Sequence, residues 1–339
     1  MKNQEIDKKE ISRDHVRSSD ACSQENRPTR FYEVIKKNGG ERKIRITLVP
    51  EYFRTLFYCE FLALVLFGMF LTLMFAKEKD TTQIITDVFG ASNICTYFDF
   101  PPASYILPVC WIFPMLCAIA YDVISMFRIW IAFEEQEGVR EIKNLQDESI
   151  GIRPLGKKTV IFLILAHIYF IATVILFTMI FAVTPDRDNP ESMLWHSVPY
   201  LNLKVAMFVL QVAVVLFGQK IAWKKLHDDK KLPRYFIEIS WLHVILQGIT
   251  MVISSVVIFN ALDDMGIRRL QGKGIWWDVH NDDNLKLVSK IFGNYLSFFL
   301  NIIFPMVQSI YLSRKGHQKM SNTHCVIFSI SDNREGKAE

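Results

Sequence analysis

The stretch Thr159–Val183 reads TVIFLILAHIYFIATVILFTMIFAV, twenty-five residues without one Asp, Glu, Lys or Arg. A helix crossing about 30 Å of hydrocarbon needs roughly 20 mostly apolar residues. The helix of a soluble domain keeps a polar stripe, and this stretch has none. It reads as a transmembrane helix. Five further segments have the same character: Thr55–Ala76, Ser104–Phe127, Val198–Ile221, Tyr235–Phe259 and Leu287–Leu312. The segment beginning at Val198 is clean only over Val205–Gly218, and it needs the flanking Pro199–Lys204 to reach full length. The predicted fold class is all-α: a polytopic membrane protein with one bundle of six transmembrane helices over residues 46–315. A basic, disordered head (1–45) precedes it and a tail (316–339) follows.

Composition supports that class. Half of the 339 residues are hydrophobic and 22% are charged, and the two kinds are segregated into long runs and short loops. A disordered chain is excluded, and so is a single water-soluble globule. The net charge of +4 has an explanation that needs no nucleic acid. Lysine and arginine number thirteen in residues 1–54, six in each of the loops after the second and fourth spans, and five in the tail. The loops after the first, third and fifth spans hold two, one and four. The positive-inside bias therefore puts both termini in the cytosol and the odd loops in the lumen or outside.

The remaining soluble parts are sparse in signals. No cleavable signal peptide opens the chain, so the first span is expected to direct insertion. Asn-x-Ser/Thr is absent, so no glycosylation is predicted. Cys95 stands alone among luminal cysteines, which excludes an internal luminal disulfide. Residues 1–30 are charged and poor in aromatics, which predicts disorder. Arg42, Lys43 and Arg45 form a basic cluster that can rest on anionic lipid, beside the plainer explanation of positive-inside bias alone. Cys325 is a candidate for palmitoylation. Glu134–Lys158 reads as a short charged helix broken by Gly151 and Pro154.

Ionisable groups inside a bilayer are costly and point to function. Glu60, Asp122 and Glu238 lie near cytosolic span ends, with Arg54, Arg128 and Arg234 within reach to pair with them. His167 and His243 each lie eight residues into their spans, about 12 Å deep at the helical rise. Two histidines at equal depth suit a bis-histidine haem, although a second pair for the other face is missing. Hydrogen bonding to neighbouring helices is the competing account. Asn294, Asn301 and Gln308 repeat every seven residues along the sixth span, one helical face. Ser240, His243 and Gln247 do the same in the fifth, and Gln211 is buried in sequence within the fourth. Such stripes serve as interhelical glue or as a groove for a lipid headgroup. On the luminal side, Asp99, His196 and Lys204 are candidates to surround a phosphate or ester, with histidine able to carry a proton near neutrality. No metal-ligating pattern, hydrolase elbow or phosphate loop occurs, so no metal and no cofactor is predicted.

Several of these features coincide with one family. The first luminal loop carries Cys95, Asp99 and Pro101-Pro102 immediately before the second span. A short luminal loop leads to His196, the fifth loop contains Trp276-Trp277, and the sixth span ends in a basic stop. Phe75-Ala-Lys-Glu-Lys-Asp-Thr-Thr82 leaves the first span. The arrangement resembles the damage-regulated autophagy modulators and the Golgi GPI-anchor lipid-remodelling factors (post-GPI-attachment-to-proteins factor two), over about residues 46–315. The head is longer than that family suggests, and the third loop is more acidic than in the autophagy branch. The resemblance implies GPI-anchor lipid remodelling, or maturation and traffic of GPI-anchored proteins, at the Golgi or another endomembrane. Membrane lipids and GPI-anchored proteins are the implied partners, and catalysis is left open. The autophagy branch implies a lysosomal membrane instead. A small-solute or ion transporter, with Glu60, Asp122, His167 and Gln211 along its path, is the alternative from the residues themselves.

Overall fold

The structure, a computed structural model, describes residues 32–36, 42–75, 97–143, 155–183, 190–223, 232–233, 235–264, 287, 289–316 and 326–332. All of them belong to the unit Phe31–Glu339. In chain order the elements are β1 (Tyr32–Lys36), β2 (Arg42–Leu48), α1 (Pro50–Phe75), α2 (Ala103–Lys143), α3 (Lys157–Leu176), α4 (Met179–Ala182), α5 (Pro190–Phe217), α6 (Phe236–Asp264), α7 (Phe304–Gly316) and β3 (Val326–Asp332). A π-helical turn, Gly218–Ala222, extends α5. Two more π-helical stretches, Ser289–Leu296 and Phe299–Ile303, lead into α7.

Among the described residues five helices are long and apolar enough to cross a membrane: Pro50–Phe75, Ala103–Glu134, Lys157–Ala182, Leu194–Ala222 and Phe236–Val256. A helix satisfies its own backbone polar groups, which hydrocarbon cannot do, so apolar runs of this length take that form. Their burial pattern is that of a membrane protein. Large apolar side chains such as Leu66, Val109, Phe113, Ile161 and Ile245 are exposed, whereas Arg54, Asp122, His167, Gln211 and Gln247 are buried. The protein is a multi-pass helical membrane bundle.

Helix limits differ from the sequence expectation in instructive ways. α2 runs through Phe127 to Lys143, so most of the separate charged helix expected in Glu134–Lys158 is the same helix continued. α5 begins at Pro190, ahead of the predicted Val198, and takes in Pro199. Its polar residues there lower the mean hydropathy without breaking the helix, because several are inside the bundle. The expected span Leu287–Leu312 is helical from Ser289 onwards, but it alternates π-helical and α-helical stretches.

The helices pack in sequence order. α1 lies on α2, α2 on α3, α3 on α5, α5 on α6, and α6 on Ser289–Leu296. α7 returns against α1 and closes the ring. We call the end where α1 begins proximal and the end where it finishes distal. An aromatic layer fills the ring: Trp111 packs on Phe61 and Phe177, at centroid distances of 5.4 and 4.9 Å. At the α1–α2 crossing Gly68 is required by space, since a Cβ there would sit 2.8 Å from Leu107 Cδ1.

The all-α expectation holds for the bundle and needs one addition. β1, β2 and β3 form an antiparallel sheet in the order β1-β2-β3. Part of the head expected to be disordered is thus strand, and it pairs with the tail. The register sets Ile46 between Tyr32 and Phe328, and Ile44 between Val34 and Ile330. The basic cluster Arg42, Lys43 and Arg45 lies on β2, the central strand. Residues 1–31, Phe75-to-Thr82 beyond Phe75 itself, Cys95, Arg187, Arg234, Trp276-Trp277, His280 and Cys325 lie outside the described residues.

Candidate functional site

Two polar assemblies occupy the interior. The distal one starts in the turn before α2. Phe100 and Pro102 carbonyls accept from Ser104 and Ile106 and open the helix, which fixes Phe98 and Asp99 beneath it. Both are buried. His196, in the first half of α5, donates through Nδ1 to the Val183 carbonyl at 2.9 Å. The same nitrogen is 3.9 Å from Asp99 Oδ1, too far for a hydrogen bond. That backbone bond holds the ring in the tautomer with its lone pair on Nε2. Nε2 and Asp99 Oδ2 are buried without a hydrogen-bond partner among the described residues. Burial pushes the Asp99 carboxyl well above the usual carboxylate range.

Lys204 follows two helical turns after His196. Its ammonium donates to Ser254 Oγ at 3.1 Å and stands 4.6 Å from the centre of the Tyr200 ring. It lines a small, partly open pocket. Most of the wall is apolar: Phe61 of α1, Phe98, Phe177, Leu203 and Met207 of α5, and Phe298 and Ile302. Ser297 and Asn301 add the polar contribution of the last helical run. The structure therefore sets Asp99 beside His196, and puts Lys204 on a cavity that Asp99's neighbour Phe98 also lines. A buried ammonium there puts positive charge beside apolar and aromatic surface.

The proximal assembly joins six helices. Arg54 Nη2 donates to Gln211 Oε1 at 2.6 Å and to Gln308 Oε1 at 3.3 Å. Gln211 Nε2 donates to Gln308 Oε1 at 2.9 Å, and Gln308 Nε2 to Ser240 Oγ at 3.0 Å. The guanidinium carbon of Arg54 is 5.7 Å from the Tyr58 ring centre and 5.9 Å from that of Tyr121. Arg128 pairs with Glu51 at 3.0 Å. His167 Nδ1 donates to Asp122 Oδ1 at 2.6 Å.

These partners correct the pairings expected from the sequence. Among the described residues Arg54 is bonded to two glutamines and not to Glu60. Arg128 takes Glu51, and Asp122 takes His167. Glu60 is half-buried on α1, and Glu238 is exposed on α6. His243 Nε2 donates to the Leu300 carbonyl at 2.7 Å, with its ring stacked on Phe304 at 4.0 Å. His167 and His243 are thus turned to separate partners on separate helices, which does not present them to one haem iron. Gln247 donates to Asn301 Oδ1 at 2.8 Å, and Asn301 donates back to Ser297 within the last helical run. Asn294 falls in Ser289–Leu296. Among the described residues no three His, Cys, Asp or Glu side chains are grouped to hold a metal ion.

Glu51 and Arg54 were not among the residues the sequence singled out as a site. They look like the charged margin of a span. The available signal was Gln211 and Gln308, two buried amides that need a strong donor. No family model, curated protein or solved structure matches the chain.

Proposed function

We propose that the chain is a six-span protein with both termini cytosolic. It binds the anionic headgroup of a membrane lipid at Lys204, and it acts in GPI-anchor lipid remodelling or in the maturation and traffic of GPI-anchored proteins in the Golgi. The observation that carries the lipid part is the placing of Lys204 at a partly open pocket walled by Phe61, Phe98 and Phe177. An ammonium supplies the counter-charge for a phosphate or carboxylate, and the aromatic wall accepts hydrocarbon. His196, with a lone pair held on Nε2, is the group at that end able to take a proton from a ligand hydroxyl. The GPI-anchor part rests on the sequence resemblance. Membrane lipids and GPI-anchored proteins are the proposed partners, with Arg42, Lys43 and Arg45 as a further contact for anionic lipid.

The test uses cells lacking the protein and two surface reporters, one GPI-anchored and one with an ordinary transmembrane helix. Surface level and anchor lipid composition of the first should change while the second stays constant. Wild type should restore the pattern, and a normally expressed Lys204→Gln, His196→Ala double variant should not. Full rescue by that variant removes the site, and an unchanged GPI reporter removes the function.

A solute-transport reading is favoured by a different observation, the polar line Arg54–Gln211–Gln308–Ser240 across the ring. It requires solute flux in reconstituted vesicles that Gln211→Leu abolishes, and silence over a broad solute panel counts against it.

A further inference from the structure

The proximal assembly holds buried polar atoms that its hydrogen bonds leave over. Among the described residues, Asp122 Oδ2, the Tyr121 hydroxyl and the Ser125 hydroxyl lack a hydrogen-bond partner, as do Nε and Nη1 of Arg54, whose guanidinium also lies against Tyr58. Asp122 and Ser125 are fully buried, and Tyr121 and Arg54 nearly so. Three of these side chains share a face of α2, since positions three and four apart are stacked on a helix. An ionised carboxylate offers about four lone-pair directions. Asp122 has one protein donor, His167 Nδ1–H, on one oxygen.

The composition of the assembly selects its ligand. Arg54 and Arg128 repel a metal cation. Glu51 and Asp122 repel an anion. A proton needs no coordination shell, and on a carboxylate oxygen it converts a buried acceptor into a donor. Neighbouring groups of the pair come from every packed element. α1 brings Glu51, Arg54 and Tyr58, and α2 brings Tyr121 and Arg128, whose charges reach Asp122, His167 or Tyr121. α5 and α7 bring neutral Gln211 and Gln308, and α6 brings Ser240 and, near enough to feel Arg54, His243.

We propose that Asp122 and His167 form a proton-binding site inside the bundle, reached through water held by Tyr121, Ser125 and Arg54. A hydronium ion at this cluster gives its proton to Asp122 Oδ2. One O–H bond forms, one water molecule is released, and no electron changes centre. The His167 Nδ1–H bond to Oδ1 persists, and the site gains one positive charge facing Arg54. Buried waters need two to four polar partners each, and the leftover donors and the carboxylate provide them.

The experiment is infrared difference spectroscopy of the full-length protein in phosphatidylcholine nanodiscs, titrated from about pH 5 to about pH 9 across the histidine range. Wild type should show a carboxylic acid C=O band that disappears as pH rises. The band should be lost in Asp122→Asn and kept in Asp99→Asn. Its midpoint should move by about one pH unit or more in His167→Gln, where the Oδ1 donor is altered. Should Asp122→Asn fail to fold, His167→Gln and Arg54→Gln decide by shift alone. In the Asp99→Asn background, which removes the band of the raised Asp99 carboxyl, a titrating band that survives Asp122→Asn, an unmoved midpoint in the other two, or no titrating band with Asp122 in place overturns the proposal.

Discussion

The Arg54 assembly makes an unusual prediction: removing the neutral partner should cost more than removing the charge. Gln211 supplies the 2.6 Å acceptor for Arg54 Nη2 and a 2.9 Å donor to Gln308. Gln211→Leu therefore takes from a guanidinium inside the ring its shortest acceptor and leaves the 3.3 Å bond to Gln308. A hydrogen bond to a charged group is worth about 1.5–3 kcal/mol, and an interhelical bond in a membrane about 0.6 kcal/mol, at most about 1.7. The expected loss is about 3 kcal/mol. Arg54→Met removes the charge together with its need for acceptors. Gln211 and Gln308 keep their mutual bond and Gln308 keeps Ser240, so the loss is about 1 kcal/mol, chiefly the contacts with the Tyr58 and Tyr121 faces. In the Arg54→Met background, Gln211→Leu should cost only the Gln–Gln bond, about 1 kcal/mol. The double variant then loses about 2 kcal/mol where simple addition gives about 4, a coupling of about 2 kcal/mol. Reversible unfolding in bicelles, with helicity as readout, measures all three. Additive losses, or Arg54→Met as the costlier single change, would refute the account of Arg54 as a charge held by amides.

Other perturbations test other parts. At Gly218 a Cβ would lie 2.3 Å from Trp223 Cδ2, so Gly218→Ala should expel the indole from Phe236, lower the thermal midpoint and shift tryptophan emission. Gly68→Val should push α1 from Leu107 and Phe98 and cost about 1–3 kcal/mol as overpacking, read by the same unfolding assay. The raised Asp99 carboxyl has a definite sign. Between the unfolded carboxylate range and the higher folded value the native state holds more protons, so stability falls as pH rises through that window. Asp99→Asn should flatten this slope in melts taken at a series of pH values, and a slope of opposite sign would contradict a buried, neutral Asp99. Deleting residues 317–339 removes β3 from its pairing with β2, and trypsin should then cut faster at Arg42, Lys43 and Arg45.

Much of the bundle was legible because each helix is written in consecutive residues. Thr159–Val183 needs no partner to be read as membrane-spanning. The start of α5 was missed because hydropathy sums over all faces of a helix. His196, Ser197 and Lys204 lower the sum there while facing inward. The site was legible as a set of residues and not as a set of pairs. Asp122 and His167 each stood out, but their joining depends on α2 lying on α3, which no single chain states. Arg54 was hidden for the opposite reason, since an arginine at a span margin matches the positive-inside bias. The alternation of Arg42–Leu48 suits a strand, but its partner β3 lies at the other end of the sequence, and long-range pairing leaves no local mark.

The most direct measurement is of lipid retained by the protein. Wild type and Lys204→Gln would be purified in parallel, matched for thermal midpoint, and analysed by native mass spectrometry for bound phospholipid. The account predicts an anionic lipid held by wild type and lost from Lys204→Gln, with retention restored by Lys204→Arg. Equal retention by wild type and Lys204→Gln, or none by either, would contradict a headgroup site at Lys204.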